Sequence, residues 1–391
     1  MTTPSTPRRR PSGRAGGTLS SLVSRLPTAL RGRWLEIWIA MVVAAFLVPT
    51  LWLASMQRAW HRLEAEAWET TLDPSVPDPG LPVIESFDTD DAQRVTIGFY
   101  MEGIEHVSVH DGGWDTILDV WCAWEDDPRH PDFDPFDGLL PVNGTIRESI
   151  LLRERHADGR HYVHRRLDLH FNRGFGVVNY PFDRHLLLAS FEYAARQRPD
   201  LLFVPDDRAS AVSRRASASG FTIGRYHAVE NPHSYLTGRG WPGDPDARGT
   251  WSQPRLAIEI ERRGMGMFLQ LFQALFVSVG VALLPCFIKP THVDPRFGLG
   301  VGALFAVVAN SYLVNAQMPE SGDFSLAGFV SLLGIGTIFI TLAQSTISLW
   351  LYETCDDPPT SRRFDRISFW LILACFCLAL LILLAGALRR L

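Results

Sequence analysis

The chain has 391 residues, with 42 acidic and 37 basic side chains, a formal net charge of -5 and 47% hydrophobic residues. That length exceeds one ordinary domain. The small, scattered charge, with no basic stripe, excludes a nucleic-acid-binding face and leaves no nucleic-acid partner to expect. The apolar residues are gathered in blocks, several as long as the roughly 20 residues a helix needs to cross the hydrocarbon core of a membrane.

Residues 1–33 carry Arg8, Arg9, Arg10, Arg14, Arg25, Arg31 and Arg33 with no acidic residue, which reads as a disordered tail kept in the cytoplasm by the positive-inside rule. The uncharged run Ile37 to Met56 then predicts an anchor helix over 34–56 that points outward. Ala54-Ser55-Met56 is a poor small-residue cleavage site, so the anchor is expected to be retained. Residues 57–93 read as a polar linker whose start continues the helix.

Residues 94–263 are exported on this orientation. Short runs with period-two patterning, such as Val95 to Tyr100, Thr116 to Ala123, Tyr162 to Phe171, His185 to Phe191 and Arg255 to Ile260, predict strands. Ala157-Asp158-Gly159 reads as the turn of a hairpin. Strands punctuated by Gly, Pro and Asp point to an all-β sandwich rather than βαβ units. The Ser-, Ala- and Arg-rich stretch 206–220 reads as a mobile loop.

This region offers no enzyme constellation: no Gly-rich phosphate loop follows a strand, and no nucleophile elbow occurs. His161, His164 and His170 lack the spacing of a zinc site and read as solvated strand histidines, so no metal centre is expected. Glu125, Asp126, Asp127, Asp132, Asp134 and Asp137 carry enough carboxylate oxygen to suggest Ca²⁺, but without EF-hand spacing they read as a solvated loop. Of the five cysteines, Cys122 lies in the soluble region and Cys355 in a connector, so no disulfide framework is expected.

Four further apolar runs follow, Gly264 to Ile288, Phe297 to Met318, Phe324 to Tyr352 and Ile367 to Leu388. The expected spans are 264–288, 294–318, 324–352 and 367–388. Lys289 and Arg296 in one connector, and Arg362, Arg363 and Arg366 in a short loop over 353–366, fall on the cytoplasmic side. The acidic link Pro319 to Asp323 falls outside. Arg389 and Arg390 fall outside as well, against the rule, where Arg can snorkel. The expected architecture is an all-β extracellular or periplasmic sandwich followed by a four-helix transmembrane bundle, with an additional N-terminal transmembrane helix. The expected location is a bacterial plasma (inner) membrane.

Specific residues add a resemblance. Tyr180-Pro181-Phe182-Asp183-Arg184-His185 resembles the signature loop of the pentameric ligand-gated, or Cys-loop, ion channels: aromatic, Pro, aromatic, Asp, any residue, Gln, with His185 at the Gln place. Arg173 and Leu187 stand where that family has its bridging cysteines, which is similar to its disulfide-free prokaryotic branch. Trp124-Glu125-Asp126 resembles the family's Trp, any residue, Asp element, and Arg262 and Arg263 match the basic pair before its first bundle helix. The resemblance covers roughly Arg94 to Leu388. Residues 1–60 have no counterpart, the run from Gly264 lacks the usual mid-helix Pro, and the next run is unusually rich in glycine.

The resemblance implies a homopentameric, ligand-gated ion channel subunit, not an enzyme, opened by a small-molecule or ion agonist. On the residues themselves, Pro181 fixes the loop backbone and Asp183 offers a charge near the membrane boundary, where Arg262 or Arg263 must also lie. An ion pair coupling sandwich to helices is therefore expected.

Asp294, Gly298, Gly302, Phe305, Ala309 and Tyr312 recur at helical spacing along one face. An ungapped alignment with the family makes that face line the pore. Asp294 would then form an acidic ring at the inner mouth that favours cations, and Phe305 a hydrophobic gate. Asp294 before Pro295 also makes a good helix cap, and Gly298 with Gly302 makes a Gly-x-x-x-Gly face that packs helices without any pore. Asn310, Ser311, Asn315 and Gln317 favour pore lining over a lipid-facing helix.

The family's agonists bind in aromatic pockets under the hairpin of the last two strands. Tyr235, Trp241 and Trp251 are the candidate cage residues for a cationic ligand, and titrating histidines and carboxylates leave proton gating open. The alternative is a non-conducting, membrane-anchored sensor with the same sandwich.

Overall fold

The computed structural model describes residues 33–73, 75, 89–235, 249–318, 324–353 and 357–388. A long helix, α1 (Trp34–Leu72), comes first. It runs on to Leu72, into the first part of the segment expected as linker. The reason is local: Gln57 to Leu72 is rich in Ala, Glu, Leu and Arg, contains no Gly or Pro, and places Trp60, Glu64 and Trp68 on one face. The Arg-rich tail before Arg33 lies outside the described residues, as do the link Pro319 to Asp323, Cys355, Arg389 and Arg390.

The strands form two sheets. One joins β1 (Gln93–Ser108), β2 (Gly113–Glu125), β4 (Gly144–Ala157), β5 (Arg160–Asn172) and β7 (Leu201–Pro205) in the order β4-β5-β2-β1-β7, with β8 (Ala211–Val212) pairing on β1. The other runs β3 (Leu139–Pro141), β6 (Arg184–Tyr193), β10 (Thr250–Arg262), β9 (Phe221–Ser234). Val95, Ile97, Phe99 and Met101 alternate inward along β1. Phe99 stacks on Phe191 of β6, ring centroids 5.8 Å apart, and joins the inner faces of the two sheets in a sandwich-like core. At the β4–β5 hairpin Asp158 and Gly159 both take positive φ, 54° and 72°, the combination a tight two-residue turn requires.

The stretch 206–220 is pinned rather than mobile. The Phe99 amide donates to the buried Ser210 hydroxyl at 3.0 Å, the Ser213 amide donates to the Met101 carbonyl at 2.8 Å, and β8 extends the sheet between them.

Four helices follow the sheets: α2 (Gly264–Leu283), closed by a 3-10 turn over Leu284–Phe287, then α3 (Val293–Asn315), α4 (Leu326–Glu353) and α5 (Pro358–Ala387). The last begins well inside the expected 353–366 loop. The Asp357 carboxylate accepts from the Thr360 amide, and Pro358 opens the helix, so Arg362, Arg363 and Arg366 are helical. In chain order α2 packs on α3, α3 on α4 and α4 on α5; α2 also touches α4, and α1 lies along α5. Among the described residues five helices, α1 to α5, are long and apolar enough to cross a membrane, as in a multi-pass membrane protein.

Candidate functional site

The loop between β5 and β6 carries Tyr180 and Pro181, joined by a cis peptide bond, and it sits between the sheets and the helices. A Cβ on Gly264, the first residue of α2, would collide with the Pro181 carbonyl oxygen and the Phe182 ring, so only glycine lets the helix start this close to the loop. Phe182 continues the contact onto Phe268, centroids 5.6 Å apart.

Asp183 is 3% exposed. Its carboxylate accepts from Arg262 through Nε at 2.7 Å and Nη2 at 3.0 Å, and from His185 Nε2 at 2.6 Å. Burial by itself raises the Asp183 pKa. The His185 and Arg262 hydrogen bonds and charges outweigh it and hold the carboxyl below its usual range. The Arg262 guanidinium in turn lies over the Phe221 and Tyr180 rings, 4.4 and 5.0 Å from their centroids. Of the two arginines expected to meet Asp183, Arg262 does so; the Arg263 amide instead donates to the Gly220 carbonyl.

Three further contacts carry the sheets onto the α3–α4 region. The Tyr180 hydroxyl donates to Gln317 Oε1 at 3.2 Å, the Leu326 amide donates to the Val178 carbonyl at 2.8 Å, and His110, in the β1–β2 turn, donates from Nδ1 to the Met318 carbonyl at 2.8 Å. Nothing in the local sequence around His110 singles it out; its role rests on where the hairpin ends.

The upper part of α1 is the second element that sequence reasoning left out of this junction. Trp60 packs where a Cβ on Gly176 would stand, His61 Nε2 meets Asn179 Nδ2 at 3.3 Å, and Arg184 lies over the Trp68 ring at 5.4 Å. Between α1, the Pro181 loop and β9–β10 is a cavity of about 440 Å³, lined by Glu64, Trp68, Arg184, Glu259 and Arg262 among others. Lower down, Trp38 donates to the Ser368 hydroxyl of α5 at 3.0 Å.

Along α3, Asp294, Gly298, Gly302, Phe305, Ala309 and Tyr312 are all exposed in the single chain, Phe305 and Tyr312 by more than 70%. A Cβ on Gly298 or Gly302 would meet no neighbour, whereas one on Gly300 would strike Leu342. Within the chain, then, the close-packed glycine is Gly300, not the Gly-x-x-x-Gly pair. Asp294 does not cap the helix: the N-cap is His292, without a side-chain bond, and Asp294 lies inside the first turn, where its charge favours the helix dipole. Arg296, by contrast, is fully buried and points back among the helices.

Tyr235 and Trp251 sit together at the mouth of the β9–β10 hairpin. Their ring centroids are 5.2 Å apart and nearly perpendicular, and the Tyr235 hydroxyl donates to Glu192 at 2.8 Å. Trp241 lies outside the described residues.

The acidic segment is divided among separate partners: Glu125 pairs with Arg160, Asp126 with His161, Asp127 with Arg129, and Asp134 accepts from the Phe136 amide. Among the described residues no group of three or more His, Cys, Asp or Glu side chains gathers as a metal site. Nor are the strand histidines simply solvated. His161 meets Asp126 at 2.6 Å, His170 meets Asp115 at 2.6 Å, and His164 lies 3.7 Å from Asp119, because each projects from β5 toward a carboxylate on β2 or just beyond its end.

No protein-family model matches the chain, and no curated protein matches it.

Proposed function

We propose that the chain is one subunit of a homopentameric ligand-gated ion channel of the Cys-loop type, in a bacterial plasma membrane with its sheet domain on the periplasmic or extracellular side. The observation that carries this reading is the buried Asp183–Arg262 pair. It ties the Pro181 loop of the sheet domain to the end of β10, just before α2, at a point where the same loop also touches the turn after α3 and the start of α4 through Tyr180 and Val178. A rigid-body shift of the sheets, driven by an agonist near Tyr235 and Trp251, pushes on the helices through that loop. In this reading α2 to α5 are a transmembrane bundle, and α3 turns its exposed face to a central pore.

Along that face, Asp294 stands at the cytoplasmic mouth and concentrates cations. Phe305 closes the pore by excluding water, and Gly298 and Gly302 leave it wide between them. Residues two apart on a helix differ by about 200° in direction, so Arg296 does not cancel the Asp294 field.

The test is single-channel recording from the purified full-length chain in planar bilayers, alongside its assembled mass in detergent. Discrete unitary currents from a pentamer whose gating changes in Phe305→Ala support the reading. A pentamer-sized or smaller assembly that never conducts, across pH steps and a panel of cationic amines, would instead favour a membrane-anchored sensor.

A further inference from the structure

The end of the helices away from the sheets holds a pocket that gating at the junction does not use. From the sheet boundary at Gly264, α2 runs 20 residues to Leu283. At about 1.5 Å per residue that is about 30 Å, the thickness of a hydrocarbon core, so the turn after α2 lies at headgroup depth on the far side. There, between that turn, the end of α4 and the first half of α5, is a cavity of about 320 Å³ whose wall includes Phe287, Lys289, Tyr352, Arg362, Arg366 and Trp370. Lys289, Arg362 and Arg366 are exposed, and none of their side chains forms an ion pair or hydrogen bond with a described residue. Among the described residues the one carboxylate in the wall is Asp365, and it is already held by Arg296 and Gln344. Three positive charges therefore share one hollow with no countercharge.

The rim of the hollow is aromatic. Phe287 is 72% exposed and Trp370 64%, and the Phe369 ring joins them, its centroid 4.8 Å from that of Phe287 and 5.1 Å from that of Trp370. A small soluble anion makes no use of such a surface, whereas acyl chains cover it, and Trp favours the depth at which headgroups meet their chains.

We propose that this pocket binds one anionic phospholipid of the surrounding bilayer, with its phosphate among Lys289, Arg362 and Arg366 and its acyl chains along Phe287 and Trp370. Basic pockets between spanning helices on the cytoplasmic side suit such headgroups, and guanidinium groups hold phosphate through paired hydrogen bonds. A lipid seated there ties the turn after α2 to α5 from outside, as Arg296 ties the Ile288 carbonyl to Asp365 from inside. The proposal rests only on α2 and α5 crossing a membrane, so it stands or falls apart from conduction.

The experiment is native mass spectrometry of delipidated, full-length protein in a non-ionic detergent, titrated with phosphatidylglycerol or phosphatidylcholine of the same acyl chains. Wild type is expected to take up one phosphatidylglycerol per chain about tenfold more tightly than phosphatidylcholine. Lys289→Gln, Arg362→Gln and Arg366→Gln should each weaken phosphatidylglycerol about fivefold and leave phosphatidylcholine unchanged. Arg363→Gln, beside the pocket but outside its wall, should change neither lipid. Size-exclusion profiles check the fold of each variant, and the wild-type comparison of the two lipids tests the site without any variant. Equal binding of the two lipids, or a loss in Arg363→Gln as large as that in Arg362→Gln, overturns the proposal. So does displacement of phosphatidylglycerol by an equal concentration of glycerol 3-phosphate, which would assign the pocket to a soluble phosphate.

Discussion

Arg296 and Asp365, far apart in the sequence, form a two-pronged ion pair inside the helices: Nη2 donates to Oδ1 at 2.7 Å and Nη1 to Oδ2 at 3.2 Å. Gln344 Nε2 donates to the same carboxylate at 2.5 Å, and Arg296 Nη1 also reaches the Ile288 carbonyl at 3.1 Å. Three helices and the turn after α2 therefore meet at one charge pair. Removing a single partner strands a buried charge, at a cost of about 3–5 kcal/mol, while replacing both partners by apolar groups costs far less. Arg296→Met or Asp365→Leu alone should lower the thermal midpoint sharply in a tryptophan-fluorescence melt, and the double variant should recover most of it. A double variant as unstable as the two single losses added together would show that the pair acts independently.

Asp183 gives a pH dependence with a definite sign. Its folded pKa lies below that of an unfolded Asp, near 3.9, so its contribution to stability is fully present above about pH 4. It is lost as pH falls from there through the lower folded value. Acid unfolding followed by circular dichroism should therefore show a steep loss of stability below about pH 4 in wild type, and a shallower one in Asp183→Asn. The variant should also be less stable at neutral pH, because the Arg262 charge then lies buried without its partner.

If α3 lines a pore, the charge of Asp294 and the bulk of Phe305 have separable effects. Asp294→Asn should move the reversal potential in a salt gradient from near the cation limit toward zero, with little change in opening probability. Phe305→Ala should do the reverse, raising the open probability with selectivity retained. An anion-selective wild type, or an unchanged reversal potential in Asp294→Asn, would show that this face or this role is wrong.

The Asp183–Arg262 pair also bears on coupling. A double-mutant cycle on the agonist concentration for half-maximal current should give a clear interaction energy between Asp183→Asn and Arg262→Gln, since the two side chains share hydrogen bonds. Full additivity would remove the pair from the gating pathway while leaving its structural role intact.

Gln57 of α1 is fully buried, has no hydrogen-bond partner for either amide atom among the described residues, and packs against Gly386 of α5. An unpaired buried amide costs about 1–3 kcal/mol. Gln57→Met keeps the shape and removes the polar atoms, so it should raise the thermal midpoint by a few degrees. A lowered midpoint would mean that Gln57 makes a polar contact worth more than its burial costs.

Much of this molecule was determined by the sequence alone because the signals are local. A run of uncharged residues from Ile37 to Met56 makes an apolar helix wherever it is placed. Alternation along Val95 to Tyr100 makes a strand, and Asp158-Gly159 makes a turn, because neighbours in the chain dictate each of these. The charge of Asp183 and the arginines before α2 were legible as partners because chain topology brings the two segments to one boundary. Which arginine answers was not legible, and only the packing of Tyr180 and Phe221 around Arg262 decided it.

The seating of α1 on the Pro181 loop and the burial of Arg296 on Asp365 were likewise decided by tertiary structure. Helix and strand propensities extend over a few residues. Burial that makes a charge seek a partner arises only when distant segments exclude water together.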